Sequence, residues 1–126
     1  MSRILVIDDE AAFRKLVRTF LEAEGHEVVE AESGEQGLLM FRATAPDLIV
    51  TDILMPGLSG IDTIMKIRAE QPDAKIIAVS GGAGGLAAAT VLSDAESTGA
   101  DRGLAKPFRR TEFLNTVGEL LPKSKS

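Results

Sequence analysis

ILVI at Ile4–Ile7, LIVT at Leu48–Thr51 and IIAV at Ile76–Val79 are short runs with almost no polar alternation. A strand with one wet face alternates with period two, so runs without that period suit strands covered on both sides of a parallel sheet. The segments between them are long enough for helices and carry helical spacing. RILVI (Arg3–Ile7) reads as the first strand. The helix after it places Phe13, Leu16, Val17 and Phe20 on one face, and Gly25 ends it. HEVVEA (His26–Ala31) is a second, more polar strand, followed by a helix that Ser33 caps and Gln36 closes as a capping box.

LIVTD is the third strand, and Ser59-Gly60 opens a helix bearing Ile61, Ile64, Met65 and Ile67. KIIAVS (Lys75–Ser80) is the fourth strand. A glycine-rich loop, Gly81 to Gly85, then leads into an alanine-rich helix ending near Gly99. RGLA (Arg102–Ala105) is a weak fifth strand, and the last helix offers Phe113, Leu114, Val117, Leu120 and Leu121. Five such units predict an α/β fold, a doubly wound five-stranded parallel sheet with helices on both faces. Two strand orders remain open, a mononucleotide-binding half and the flavodoxin-like 2-1-3-4-5. The polarity of the second strand favours an edge for it and the interior for the first and third.

The 126 residues suit one domain, predicted over 1–122, with 123–126 as a short polar tail. A net charge of −5 with scattered basic residues excludes a direct nucleic-acid partner. There is no cysteine, hence no disulfide and no thiolate chemistry. No segment reads as a signal peptide or membrane span, so a cytoplasmic location is expected.

Ligands of open α/β sheets bind beyond the carboxyl ends of the strands. Those ends carry Asp8-Asp9-Glu10, Asp52, Ser80 and Lys106. With the first and third strands adjacent, Asp8, Asp9 and Asp52 converge. Like charges at about 4 Å repel by roughly 4 kcal/mol per pair at an effective dielectric near 20. Either they splay into water or a positive charge sits among them. An oxygen-only cluster favours Mg²⁺, Lys106 adds a mobile point charge, and Ser80 adds a hydroxyl donor. This is a phosphoryl-transfer set in which Asp52 is the nucleophile. Each residue alone has a plainer reading: Asp52 as a turn or cap residue, Ser80 as a turn residue, Lys106 as a solvated lysine, Asp8-Asp9 as a helix start. Their convergence on one sheet edge weighs against that reading.

ILVIDDE, LIVTDILMPGLSG, IIAVSG and GADRGLAKPF, in that order, resemble the receiver (CheY-like) domains of two-component response regulators over essentially the whole chain. The resemblance implies strand order 2-1-3-4-5 and phosphorylation of Asp52 by a histidine kinase or histidine phosphotransfer protein. It implies Mg²⁺ on Asp8, Asp9, Asp52 and the Leu54 carbonyl, with Ser80 and Lys106 contacting the phosphoryl group. Pro107 matches a proline whose bond to that lysine is usually cis, against the general trans preference. Such a domain catalyses its own phosphorylation and slow dephosphorylation without being a turnover enzyme. A stand-alone signalling protein with an unknown downstream protein partner is expected, as a monomer or a weak phosphorylation-dependent dimer.

The family's signalling aromatic is here Gly103, and the chain has no Tyr or Trp. That removes the familiar inward turn of a ring and puts the usual readout face in question. At the positions two after Asp52 and two after Ser80, Leu54 and Gly82 offer no group to orient an attacking water. Met55 and Pro56 shape the loop after the nucleophile, Phe108 is a core or hinge contact, and His26 has no phosphoryl role. The competing functions are a phosphorylation-independent interaction module, which Gly103 favours, and an aspartyl-phosphate phosphatase. The phosphatase needs an extra acid or base and a substrate cap that the sequence lacks. A nucleotide-binding loop is absent after the first strand.

Overall fold

The computed structural model describes residues 2–53, 60–80, 99–106 and 108–121. Leu54, Met55, Pro56, Gly82 and Pro107 lie outside them, as do the rest of the Gly81–Gly85 loop, the alanine-rich helix and the tail. Five parallel strands, β1 (Arg3–Ile7), β2 (Glu27–Ala31), β3 (Leu48–Asp52), β4 (Ile76–Ser80) and β5 (Arg102–Ala105), form one sheet in the order β2-β1-β3-β4-β5. The helices described are α1 (Ala11–Ala23), α2 (Gly34–Thr44), α3 (Gly60–Glu70) and α4 (Arg110–Leu120).

Strand alternation splits the core in two. Ile4, Val6, Val50, Ile77 and Val79 face α1 and α4, meeting Phe13, Val17, Leu21, Phe113 and Val117. Leu5, Ile7, Ile49, Ile76 and Ala78 face α2 and α3, meeting Leu38, Phe41, Ile64 and Ile67. The absence of polar alternation in β1, β3 and β4 therefore has the expected cause: both faces are covered. The β1 side chains from Ile4 through Ile7 are wholly buried, each contributing roughly 1.5–3 kcal/mol against exposure.

The helix faces differ in detail from the sequence reading. The buried stripe of α1 is Phe13, Val17 and Leu21, while Leu16 is 47% exposed. Met65 on α3 is likewise exposed. Ser33 does cap α2, accepting from the Gln36 N–H at 3.1 Å, but the Gln36 side chain accepts from the N–H of Glu32. The reciprocal bond thus lands one residue before the cap. α1 ends through Glu24 into Gly25, whose φ of 87° is the left-handed conformation that glycine adopts without strain.

Two devices fix the strand ends, one where β3 leaves the sheet and one where β4 and β5 enter it. Gly60 begins α3 against the exit of β3, where an added Cβ would collide with the Asp52 carbonyl oxygen and the Ile53 Cα. Arg68 of α3 donates to the carbonyls of Pro72, Ala74 and Gly99 and pairs with Asp101, tying α3 to the turn that enters β5. Asp101 also accepts from the Ile76 N–H at 2.8 Å, so the entries of β4 and β5 are held together. Among the described residues, no helix is long and apolar enough to cross a membrane.

Candidate functional site

β1, β3, β4 and β5 deliver their functional groups at the same sheet edge, β1 two of them. Asp8 continues the line of β1, its N–H donating to the Ala31 carbonyl at 3.0 Å. Its side chain is fully buried, and Oδ1 accepts the Glu10 N–H at 2.8 Å. That turn leads into α1, whose N-terminus has no other side-chain cap, so Asp8 has the local role of a turn former as well. Asp9 is exposed. Asp52 ends β3 at 6% exposure. One carboxylate oxygen from each of Asp8, Asp9 and Asp52 lies within 4.8 Å of the other two.

Lys106 follows β5, and its N–H donates to the Ser80 carbonyl at 2.7 Å, extending the β4–β5 pairing by one step. From there Nζ reaches Asp8 Oδ2 at 2.8 Å, Asp52 Oδ2 at 3.4 Å and Glu10 Oε1 at 3.6 Å. The ammonium also sits 3.8 Å from the centre of the Phe13 ring, a cation–π contact. Burial pulls the Lys106 ammonium down, but its hydrogen bond to Asp8 and the charges of Asp8 and Asp52 outweigh this and hold its pKa above the ordinary lysine value.

The Ser80 hydroxyl is buried at the end of β4 and has no hydrogen-bond partner among the described residues. A buried hydroxyl left unpaired costs about 1–3 kcal/mol. It is a donor at this edge that none of the described residues engages. The donor set consists of carboxylate oxygens with one ammonium nearby, and the cluster can hold a hard divalent cation.

The structure thus brings together Asp8, Asp9, Asp52, Ser80 and Lys106. Leu54 lies outside the described residues. His26 precedes β2 at the opposite end of the sheet, where Nδ1 accepts the Ser2 N–H at 3.4 Å. Gly103 pairs with Ala78 inside β5 and offers no ring. Phe108 stands T-shaped against Phe13 at 5.8 Å and stacks on Phe113 at 5.3 Å, as a core contact at the entry to α4.

Sequence reasoning missed Arg14 and Glu30. Arg14 donates to the Asp8 carbonyl at 2.6 Å and to Glu30 Oε1 at 3.0 Å. The available signals were an arginine one helical turn past the acidic pair and a charged residue inside the second strand. Their pairing depends on β2 lying beside α1, which no local pattern reveals.

Comparison with known proteins gives a consistent picture. A profile of the response regulator receiver domain matches residues 4–118. Chemotaxis protein CheY of Bacillus subtilis (strain 168) is 33% identical over 120 residues, covering 94% of this chain and 97% of that protein. The probable transcriptional regulator ycf27 of Pyropia yezoensis is 35% identical over 97% of this chain but only 48% of its own length. The chain thus spans about half the length of that relative and nearly all of the other. Among solved structures, the response regulator protein TrrA of Thermotoga maritima, in complex with Mg²⁺–BeF, is 40% identical with a TM-score of 0.85, covering 96% of this chain and 100% of that one.

Proposed function

Because this chain belongs to the response regulator receiver domain family, we propose that it is a signalling phosphoacceptor that takes a phosphoryl group on Asp52. The donor is a phosphohistidine of a histidine kinase or histidine phosphotransfer protein, and the phosphorylated form changes which protein it binds. A cytoplasmic location accompanies such a donor.

The observation that carries this reading is the pairing of a near-buried Asp52 carboxylate with Lys106 at 3.4 Å, beside a Ser80 hydroxyl on the next strand that has no partner among the described residues. An Asp52 oxygen attacks phosphorus, and an acyl phosphate forms as the phosphorus–nitrogen bond breaks. The bond's electron pair stays with the donor imidazole. Lys106 pairs with a phosphoryl oxygen and the Ser80 hydroxyl donates to another, stabilising charge in place of water. Asp8, Asp9 and Asp52, with the Leu54 carbonyl, would hold Mg²⁺, which when bound supplies neutralising charge to the phosphoryl oxygens. The fluoroberyllate complex of the TrrA relative supports this, because that ion has the shape and charge of a phosphoryl group. The domain promotes its own phosphorylation and its slow reversal rather than turning over free substrate.

Intact mass after incubation with Mg²⁺ and acetyl phosphate, or with a phosphorylated histidine donor, tests the reading. A gain of one phosphoryl group, lost in Asp52→Asn, is expected. An unchanged mass with both donors would replace this reading with that of a phosphorylation-independent interaction module.

A further inference from the structure

Asp8 is gripped on every polar atom it has. Its N–H goes to Ala31, its two carboxylate oxygens go to Glu10 N–H and Lys106, and its carbonyl accepts from Arg14 Nη1 at 2.6 Å. That carbonyl belongs to the Asp8–Asp9 peptide. Its plane decides where Asp9, the exposed member of the acidic trio, can aim its carboxylate.

Arg14 is in turn not free to move. Its Nε donates to Glu30 Oε1 at 3.0 Å, and the other oxygen of Glu30 is taken by Arg18 Nη1 at 2.7 Å. Arg18 Nε continues to Glu22 at 3.0 Å. Arg14 is the most enclosed cation of this chain of contacts, with 14% of its side chain exposed against 44% for Arg18. A planar guanidinium can serve the Glu30 carboxylate and the Asp8 carbonyl at fixed angles at once, whereas a lysine ammonium has no such fork.

We infer that Arg14 is a positioning residue for the cation site: by clamping the Asp8 carbonyl between α1 and β2 it orients the Asp8–Asp9 peptide and so presents Asp9 to the ion. This rests on the reading of Asp8, Asp9 and Asp52 as a divalent-cation site. Partners that orient metal ligands are commonly worth about 10–100-fold in affinity. Arg42, which pairs with Glu70 between α2 and α3, touches none of these residues and serves as the internal control.

Mn²⁺ affinity of the full chain, measured by the loss of the free-ion paramagnetic resonance signal, tests it. Arg14→Leu is expected to weaken Mn²⁺ about tenfold, Arg14→Lys to recover only part of that, and Arg42→Leu to change it less than twofold. In Mn²⁺-free protein the Asp9 amide should shift in the ¹H–¹⁵N spectrum of Arg14→Leu, with the amides of β3 and β4 unmoved. A folded Arg14→Leu that binds Mn²⁺ as tightly as wild type overturns the inference while leaving the cation site standing. Full recovery by Arg14→Lys overturns the geometric claim. Wild-type protein that binds no Mn²⁺ removes the cation reading itself, and the inference with it.

Discussion

Lys106 lies closer to Asp8 than to Asp52, at 2.8 Å against 3.4 Å. The ammonium that balances the acidic edge therefore leans toward the fully buried carboxylate. A cation entering the cluster competes with it for Asp8. Lys106→Met should tighten Mn²⁺ binding by about tenfold, since a unit charge at such distances is worth up to about 4 kcal/mol before screening. In EDTA the same variant should lose about 2 kcal/mol of stability, below the 3–5 kcal/mol of a fully buried broken pair because Lys106 is partly exposed. Mg²⁺ should restore that loss. Weaker Mn²⁺ binding in calorimetric titration would rule out this competition.

The same lysine sets an alkaline limb of stability. Its folded pKa is raised, so its contribution is complete below the unfolded value of about 10.4 and disappears as pH rises through the folded one. Glu30 acts at the other end. Burial pushes its carboxyl up, but hydrogen bonds from Arg18 and Arg14 prevail and hold it below the ordinary glutamate value. Its contribution is present above about pH 4.3 and lost as pH falls through the depressed pKa. Melting temperature against pH should lose its alkaline slope in Lys106→Met and part of its acid slope in Glu30→Gln.

Ser80→Ala removes a buried hydroxyl that has no partner among the described residues. The unphosphorylated protein should gain about 1 kcal/mol in urea unfolding. Phosphorylation of Asp52 from acetyl phosphate should slow at the same time, by about tenfold or more for one lost hydrogen bond to a charged oxygen. A loss of both stability and rate would show that the hydroxyl serves the resting fold.

Gly60→Ala places a methyl group against the main chain of Asp52 and Ile53, neither of which can swing aside as a side chain would. The expected cost is about 3 kcal/mol, the upper range for overpacking. The Asp52 and Ile53 amides should shift in the ¹H–¹⁵N spectrum. A stability within 0.5 kcal/mol of wild type, roughly that of an ordinary surface change, would contradict this close approach.

The catalytic edge was readable because parallel strands all end their chemistry on one side. Asp8, Asp52, Ser80 and Lys106 could be assigned to it once β1, β3, β4 and β5 were recognised. The helix stripes were read less well. Leu16 and Met65 have helical spacing from buried neighbours, yet α1 and α3 bury narrower faces than the apolar pattern suggested. Arg14 was invisible for a different reason. Its importance comes from the Asp8 carbonyl and from Glu30 on another strand, and backbone acceptors leave no trace in a sequence.

The contact between Asp8 and Lys106 joins residues 98 positions apart. Asp52 lies 54 positions before the same lysine, so the ammonium reaches both carboxylates only where β5 has joined β4. The charge balance of the acidic edge is therefore tied to the seating of an edge strand. Loosening β5 would withdraw the counter-charge together with the strand, although no residue of the acidic cluster had been touched.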